Sequence, residues 1–86
     1  MNTAFLLMAQ YDGLAVIPLA RVCSDYFPHL TAQKLLEKVR SGEVRLPVMR
    51  IEASQKAAKG VHLQDLAGYI DKQREAARRD LENMLR

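Results

Sequence analysis

Apolar and polar positions alternate along the chain in a way that marks out four helices and a small β element. Residues 3–11 predict a short helix with Thr3 as its cap and Asp12-Gly13 as its stop. This helix is apolar on most sides, so burial against the rest of the protein is expected. Residues 14–17 form a brief β-like run, and Pro18 suits the first position of a following helix, where its missing N–H costs nothing. Leu19, Val22, Cys23, Tyr26 and Phe27 then recur at helical spacing as one apolar stripe. Pro28 ends the helix, because the residue before a proline disfavours the α region. Thr31 is the next N-cap, Leu35, Leu36 and Val39 point inward, and Gly42 is the stop. Three residues or so separate these two helices, the connection of a helix-turn-helix.

Residues 44–52 alternate imperfectly and contain β-branched side chains, and residues 61–63 are a second short strand. The polar, basic segment 53–60 between them, with Gly60 at its exit, predicts a β-hairpin wing. From Gln64 or Asp65 onward the chain reads as one long helix with Leu66, Ala67, Ile70, Ala77, Leu81, Met84 and Leu85 near the 3.6 period. Its other faces carry Asp71–Arg74, Glu75–Arg79, Arg78–Glu82 and Glu82–Arg86 at spacings that favour ion pairs. The expected fold class is mainly α: a winged helix-turn-helix with a small β-hairpin wing and a long C-terminal helix.

At 86 residues the chain has room for one core, so residues 1–86 are expected to form a single domain. Apolar residues make up 49% of it, too many for a disordered tail. The single cysteine, Cys23, rules out an intramolecular disulfide and a Cys-based zinc site, and suits a reducing cytoplasm. Residues 4–8 lack the basic flank and length of a signal peptide, and nothing is long enough to span a bilayer, so no membrane partner is expected. The net charge of +3 is unevenly placed. Seven basic and three acidic groups fall in residues 31–60, so the excess positive charge lies in the middle third and offers one face to a polyanion.

Three stretches carry a family resemblance: FLLMAQYDG at 5–13, IPL at 17–19 with DYFPHLT at 25–31, and RIEASQKAAKGVHLQDL at 50–66. Over residues 3 to about 71 the chain resembles the PrtN-type pyocin activator family. That resemblance implies a transcription activator of phage-derived bacteriocin genes, with promoter-region double-stranded DNA as partner and RNA polymerase as a second one. The turn-helix-wing-helix order is also similar, more distantly, to excisionases and MerR-type readers.

The second helix of a helix-turn-helix presents its N-terminal side chains to base edges in the major groove. Here these are Thr31, Gln33, Lys34 and Lys38, with Glu37 among them; Gln33 suits adenine, and Lys34 suits guanine or a phosphate. A solvated helix face is the plain alternative for any one of them. At the wing tip Ser54, Gln55, Lys56 and Lys59 stand among small residues and no acid, a composition that lets backbone and lysines approach phosphates. Arg40, Arg45 and Arg50 flank the same surface, with Arg50 the preferred phosphate or minor-groove contact; a plain surface salt bridge, for instance with Glu52, is the alternative, above all for Arg45. His29 sits in the turn within reach of a phosphate, and His62 reads as a strand residue facing solvent.

No catalytic, metal or cofactor site is expected. Cys23 lies on an apolar stripe as a small core residue, the two histidines have no ligand cluster, and the four glycines are scattered. Beyond the expected core, Ala77, Leu81, Met84 and Leu85 leave an apolar stripe that makes residues 71–86 an oligomerisation helix and the protein a homo-oligomer. The alternative is that the tail folds back over Phe5, Leu6 and Leu7. Two further functions compete with sequence-specific activation: an excisionase-like DNA-bending protein, and an adaptor whose basic zone meets an acidic protein.

Overall fold

Asn2, and not Thr3, caps the first helix in the computed structural model, which describes residues 2–54 and 56–86. The Asn2 side chain accepts from the Phe5 backbone N–H at 2.9 Å, and α1 runs Thr3–Gln10. Thr3 is thereby free to use its hydroxyl elsewhere, donating to the Asp71 carboxylate. The expectation that α1 is buried on most sides fails: only Leu7 is buried within it, while Phe5, Leu6 and Met8 are exposed. The helix packs on α4 and meets α2 only at its end, where the Tyr26 hydroxyl donates to Gln10, so one face is covered and the rest is open.

β1, Val16–Pro18, comes next, so Pro18 ends a strand instead of opening a helix. Its missing N–H is harmless at that edge position. α2, Leu19–Tyr26, buries Leu19, Val22 and Cys23, and Phe27 as its C-cap is buried too. The Cys23 thiol donates to the Leu30 carbonyl at 3.2 Å, as befits a core residue that ties down the following turn. Three residues separate the Phe27 cap from the Thr31 cap of α3, Ala32–Arg40. Leu35 on α3 is fully buried, and Leu36 and Val39 are half-buried. Gly42 follows at φ +83°, a left-handed exit that glycine adopts without strain.

Residues 44–48 depart from the expected strand. Val44 and Leu46 are buried in irregular backbone, and Pro47 interrupts the ladder, so β2 shrinks to Met49–Arg50. β3, Lys59–His62, pairs with it antiparallel (Met49 opposite Gly60, Arg50 opposite Lys59) and pairs with β1 on its other edge. The element is therefore a three-stranded sheet in the order β1-β3-β2, a hairpin widened by a strand from before α2. Gly60 makes this close packing feasible. A β-carbon there would lie 2.6 Å from Val16 Cγ1 and 2.8 Å from the Ile17 carbonyl oxygen.

α4 spans Leu63–Met84 and begins one residue earlier than the sequence suggests. His62 is its N-cap, Nδ1 accepting from the Gln64 N–H at 3.0 Å, and is half-buried, not simply facing solvent. The charge pairs expected along α4 are not closed among the described residues. Asp71 is engaged by Thr3, and for exposed side chains such a pair is worth only tenths of a kcal/mol. Leu63, Leu66 and Ala67 enter the common core with Tyr11, Ile17, Val22, Leu35, Leu46 and Val61. Beyond Ile70 the helix leaves that core, and the molecule measures 51 × 30 × 20 Å. The tail does not fold back over α1.

Candidate nucleic-acid interface

Helix α3 divides the proposed contact residues between two sides. Thr31 accepts from the Lys34 backbone N–H at 3.1 Å, so its hydroxyl oxygen already serves the helix start. Lys34 sits 3.4 Å from Glu37, and Lys38 bonds Glu43 at 2.8 Å. Lys38 also holds the Glu43 carboxyl below its ordinary range. Lys34, Glu37, Lys38, Ser41 and Glu43 line one shallow depression in which acids and bases offset each other. Gln33 is exposed one position before this pair.

The other side of α3 faces the hairpin across an open cleft of about 610 Å³. Leu36, Val39 and Val48 supply apolar lining, and Arg40, Arg50 and Lys59 supply three cations against Glu52 as the one acid. Arg50 and Lys59 are cross-strand partners, so their side chains share a face. Like charges placed directly opposite destabilise a ladder. Yet neither Arg50, Lys59 nor Arg40 is closed in an ion pair among the described residues. Glu52 lines the cleft without bridging Arg50, so the expected alternative of an Arg50–Glu52 salt bridge is not formed.

The hairpin tip is held by its own turn. Ser54 Oγ accepts from the Lys56 N–H at 3.1 Å and the Ser54 carbonyl accepts from Ala57 at 3.1 Å. The Ile51 N–H donates to the Ala58 carbonyl at 3.4 Å, continuing the ladder. Lys56 is exposed at the tip, and Lys59 is half-buried on β3. Gln55, also expected here, lies outside the described residues. His29 is exposed in the turn before α3, its ring 6.5 Å from that of Phe27. Arg45 lines a separate depression with Glu43, Tyr69, Lys72 and Gln73. Arg40, which the sequence placed only on the flank, is thus a wall of the cleft; its i+4 spacing from Leu36 was the signal that could have found it.

One feature with perturbed chemistry lies elsewhere. Tyr11 is fully buried, donates to Asp25 at 2.7 Å and carries Arg21 4.7 Å from its ring centroid. Burial first, and then the Asp25 carboxylate, push its phenol well above the ordinary range. This is a structural lock between α1 and α2, far from a nucleophile's requirements. Among the described residues no His, Cys, Asp or Glu group is arranged to hold a metal, and no helix is long and apolar enough to cross a membrane.

With this geometry in place, comparison with known proteins gives one match. The family profile of the pyocin activator protein PrtN covers residues 3–77. The chain belongs to that family. Its role accordingly lies in pyocin gene activation, and its family is one of activators, not of enzymes. The match carries the resemblance noted at residues 3–71 further along α4 and stops short of Leu81. No curated relative and no solved structure matches the chain significantly.

Proposed function

We propose that this pyocin activator works by binding promoter-region double-stranded DNA as a winged helix-turn-helix protein. In this reading α2 and α3 are the helix-turn-helix, the β2–β3 hairpin is the wing, and RNA polymerase is engaged once the protein sits at the promoter. The observation that carries it is the convergence of Arg40, Arg50 and Lys59 on the cleft between α3 and the hairpin. Cations held opposite each other and closed in no ion pair lower stability, and such local conflicts collect at functional sites. A DNA phosphate supplies the missing negative charge. α3 then lies in the major groove with Gln33 toward base edges, Lys34 and Lys38 near the backbone, and Thr31 fixing the helix start. Ser54 and Lys56 at the tip, with Lys59 behind them, follow the adjacent strand.

The cleft assigns different work to different cations. Lys34 and Lys38 must exchange an acidic neighbour for a phosphate, which diminishes what each contributes. Arg50 and Lys59 exchange mutual repulsion for attraction. Fluorescence anisotropy on a promoter fragment and on random DNA, across a salt series, tests the assignment. Arg50→Ala is expected to weaken both DNAs alike and to lower the salt slope by about one unit. Lys34→Ala is expected to lower it by less. An unchanged slope for Arg50→Ala, or wild-type binding that is indifferent to salt, overturns the reading.

A further inference from the structure

We propose that the protein is a two-fold dimer in which the C-terminal half of α4 from one copy covers the outer face of α1 in the other. The stripe that α4 buries with Leu63, Leu66 and Ala67 continues in phase through Ala77, Leu81 and Leu85. The first half is covered by the domain, and the second half by nothing among the described residues. α1 begins beside the middle of α4, where Thr3 bonds Asp71, so Phe5 and Leu6 stand close to the point at which that stripe leaves the core. One surface is a projecting apolar helix and the other a seated helix with an uncovered apolar side. Each copy carries both.

The areas match what a dimer needs. Phe5, Leu6, Met8, Leu81, Met84 and Leu85 are each between 47% and 77% exposed. At roughly 200 Å² for a large apolar side chain, they leave on the order of 700–800 Å² of apolar surface open on each copy. A standard interface removes ~800 Å² from each partner. The lengths agree as well: α4 residues 74–84 extend about 16 Å, enough to lie along the eight residues of α1 at about 12 Å. A two-fold axis satisfies both surfaces at once, since tail meets α1 twice. A heterologous partner would cover each surface only once and would leave a second tail for another contact.

Sedimentation equilibrium without DNA reads the outcome directly. The intact chain is expected at twice its 9.7 kDa mass, and Leu81→Glu with Leu85→Glu, or Phe5→Glu with Leu6→Glu, at the single mass. All four positions are exposed, so the helical circular dichroism should persist in both variants. Mixing Leu6→Cys chains with Leu85→Cys chains under mild oxidation should give a disulfide between the two kinds of chain. A monomeric intact protein overturns the proposal, as does a dimer indifferent to either double substitution. Rapid cross-linking of Leu85→Cys chains to each other, without the mixed product, also overturns it, because that places tail against tail. Should a glutamate variant lose its helical spectrum, the mixed cross-link alone decides.

Discussion

Reversing the charge of Lys59 should raise stability and lower DNA affinity together. Lys59 and Arg50 face each other across β3 and β2, and Arg40 approaches from α3. A cross-strand pair contributes about 0.2–1 kcal/mol, with the sign set by its charges. Lys59→Glu turns a repulsion into an attraction, and because Lys59 is only half-buried, water screens part of the change. A net gain of about 1 kcal/mol is a reasonable expectation, which for a domain of this size moves Tm up by roughly 4–8 °C. On DNA the same substitution removes a charged contact worth about 1.5–3 kcal/mol and sets a carboxylate against a phosphate. Kd should therefore rise by at least ~10-fold, and the salt slope should fall by about one unit or more. Lys59→Met should lie between wild type and Lys59→Glu on both axes. Thermal unfolding by circular dichroism and anisotropy titration at several salt concentrations supply the two axes. Were Lys59→Glu to lose stability and affinity in parallel, Lys59 would be a structural residue and the cleft no phosphate seat. An unchanged affinity would remove the hairpin from the interface.

Three further outcomes follow from the same structure. Gln33→Ala should cost on the order of 1–3 kcal/mol on the preferred site and far less on random DNA in the anisotropy assay, whereas equal losses would reassign Gln33 to the backbone. Gly60→Ala should lower stability by about 1–3 kcal/mol in urea unfolding, because its new methyl meets Val16 and the Ile17 carbonyl below contact distance; an unshifted midpoint refutes the close approach. Tyr11 keeps its proton in the folded state above the pH near 10 at which an unfolded tyrosine releases it. That stabilisation is fully present below pH ~10 and is lost as pH rises further, so Tyr11→Phe should be less stable at neutral pH but show a shallower alkaline decline. Parallel alkaline curves for the two proteins would remove Tyr11 from the linkage.

The helical half of the fold was legible because its signals are local. The stripe from Leu19 to Phe27, the stop at Pro28 and the Thr31 cap each act within one turn, and the structure keeps all three. What the sequence misplaced depends on long-range partners. Nothing within residues 14–18 shows that this run will pair with residues 60–62, 42 or more positions away, so the β-like run expected at 14–17 is found as β1 but its partner strand could not be named. The strand expected over residues 44–52 is kept only at Met49–Arg50 for a related reason. Val44 and Leu46 are apolar because they fill the core, and burial without a ladder leaves the same pattern as a strand. His62 was missed as a cap because histidine is outside the usual capping set, and only the strand-to-helix turn aims its Nδ1 at Gln64.

The candidate site shows the same division at the level of charge. Counting charges by segment locates the basic zone in residues 31–60 but treats every cation there as equivalent. Folding sorts them. Lys34 and Lys38 each have an acid three to five positions ahead, which is a helical neighbour or a turn neighbour, so their ion pairs could have been foreseen from spacing. Arg40, Arg50 and Lys59 are nine or more positions apart, and only the hairpin register and the packing of α3 beside it make them one cluster. A cation is therefore informative about a polyanion partner to the extent that the fold denies it an internal one. By that measure the cleft outranks the helix face that the sequence put first. The hierarchy is itself open to measurement: removal of Glu37 and Glu43, which frees Lys34 and Lys38, should strengthen DNA binding, while removal of Glu52 should strengthen it further because Glu52 lines the cleft.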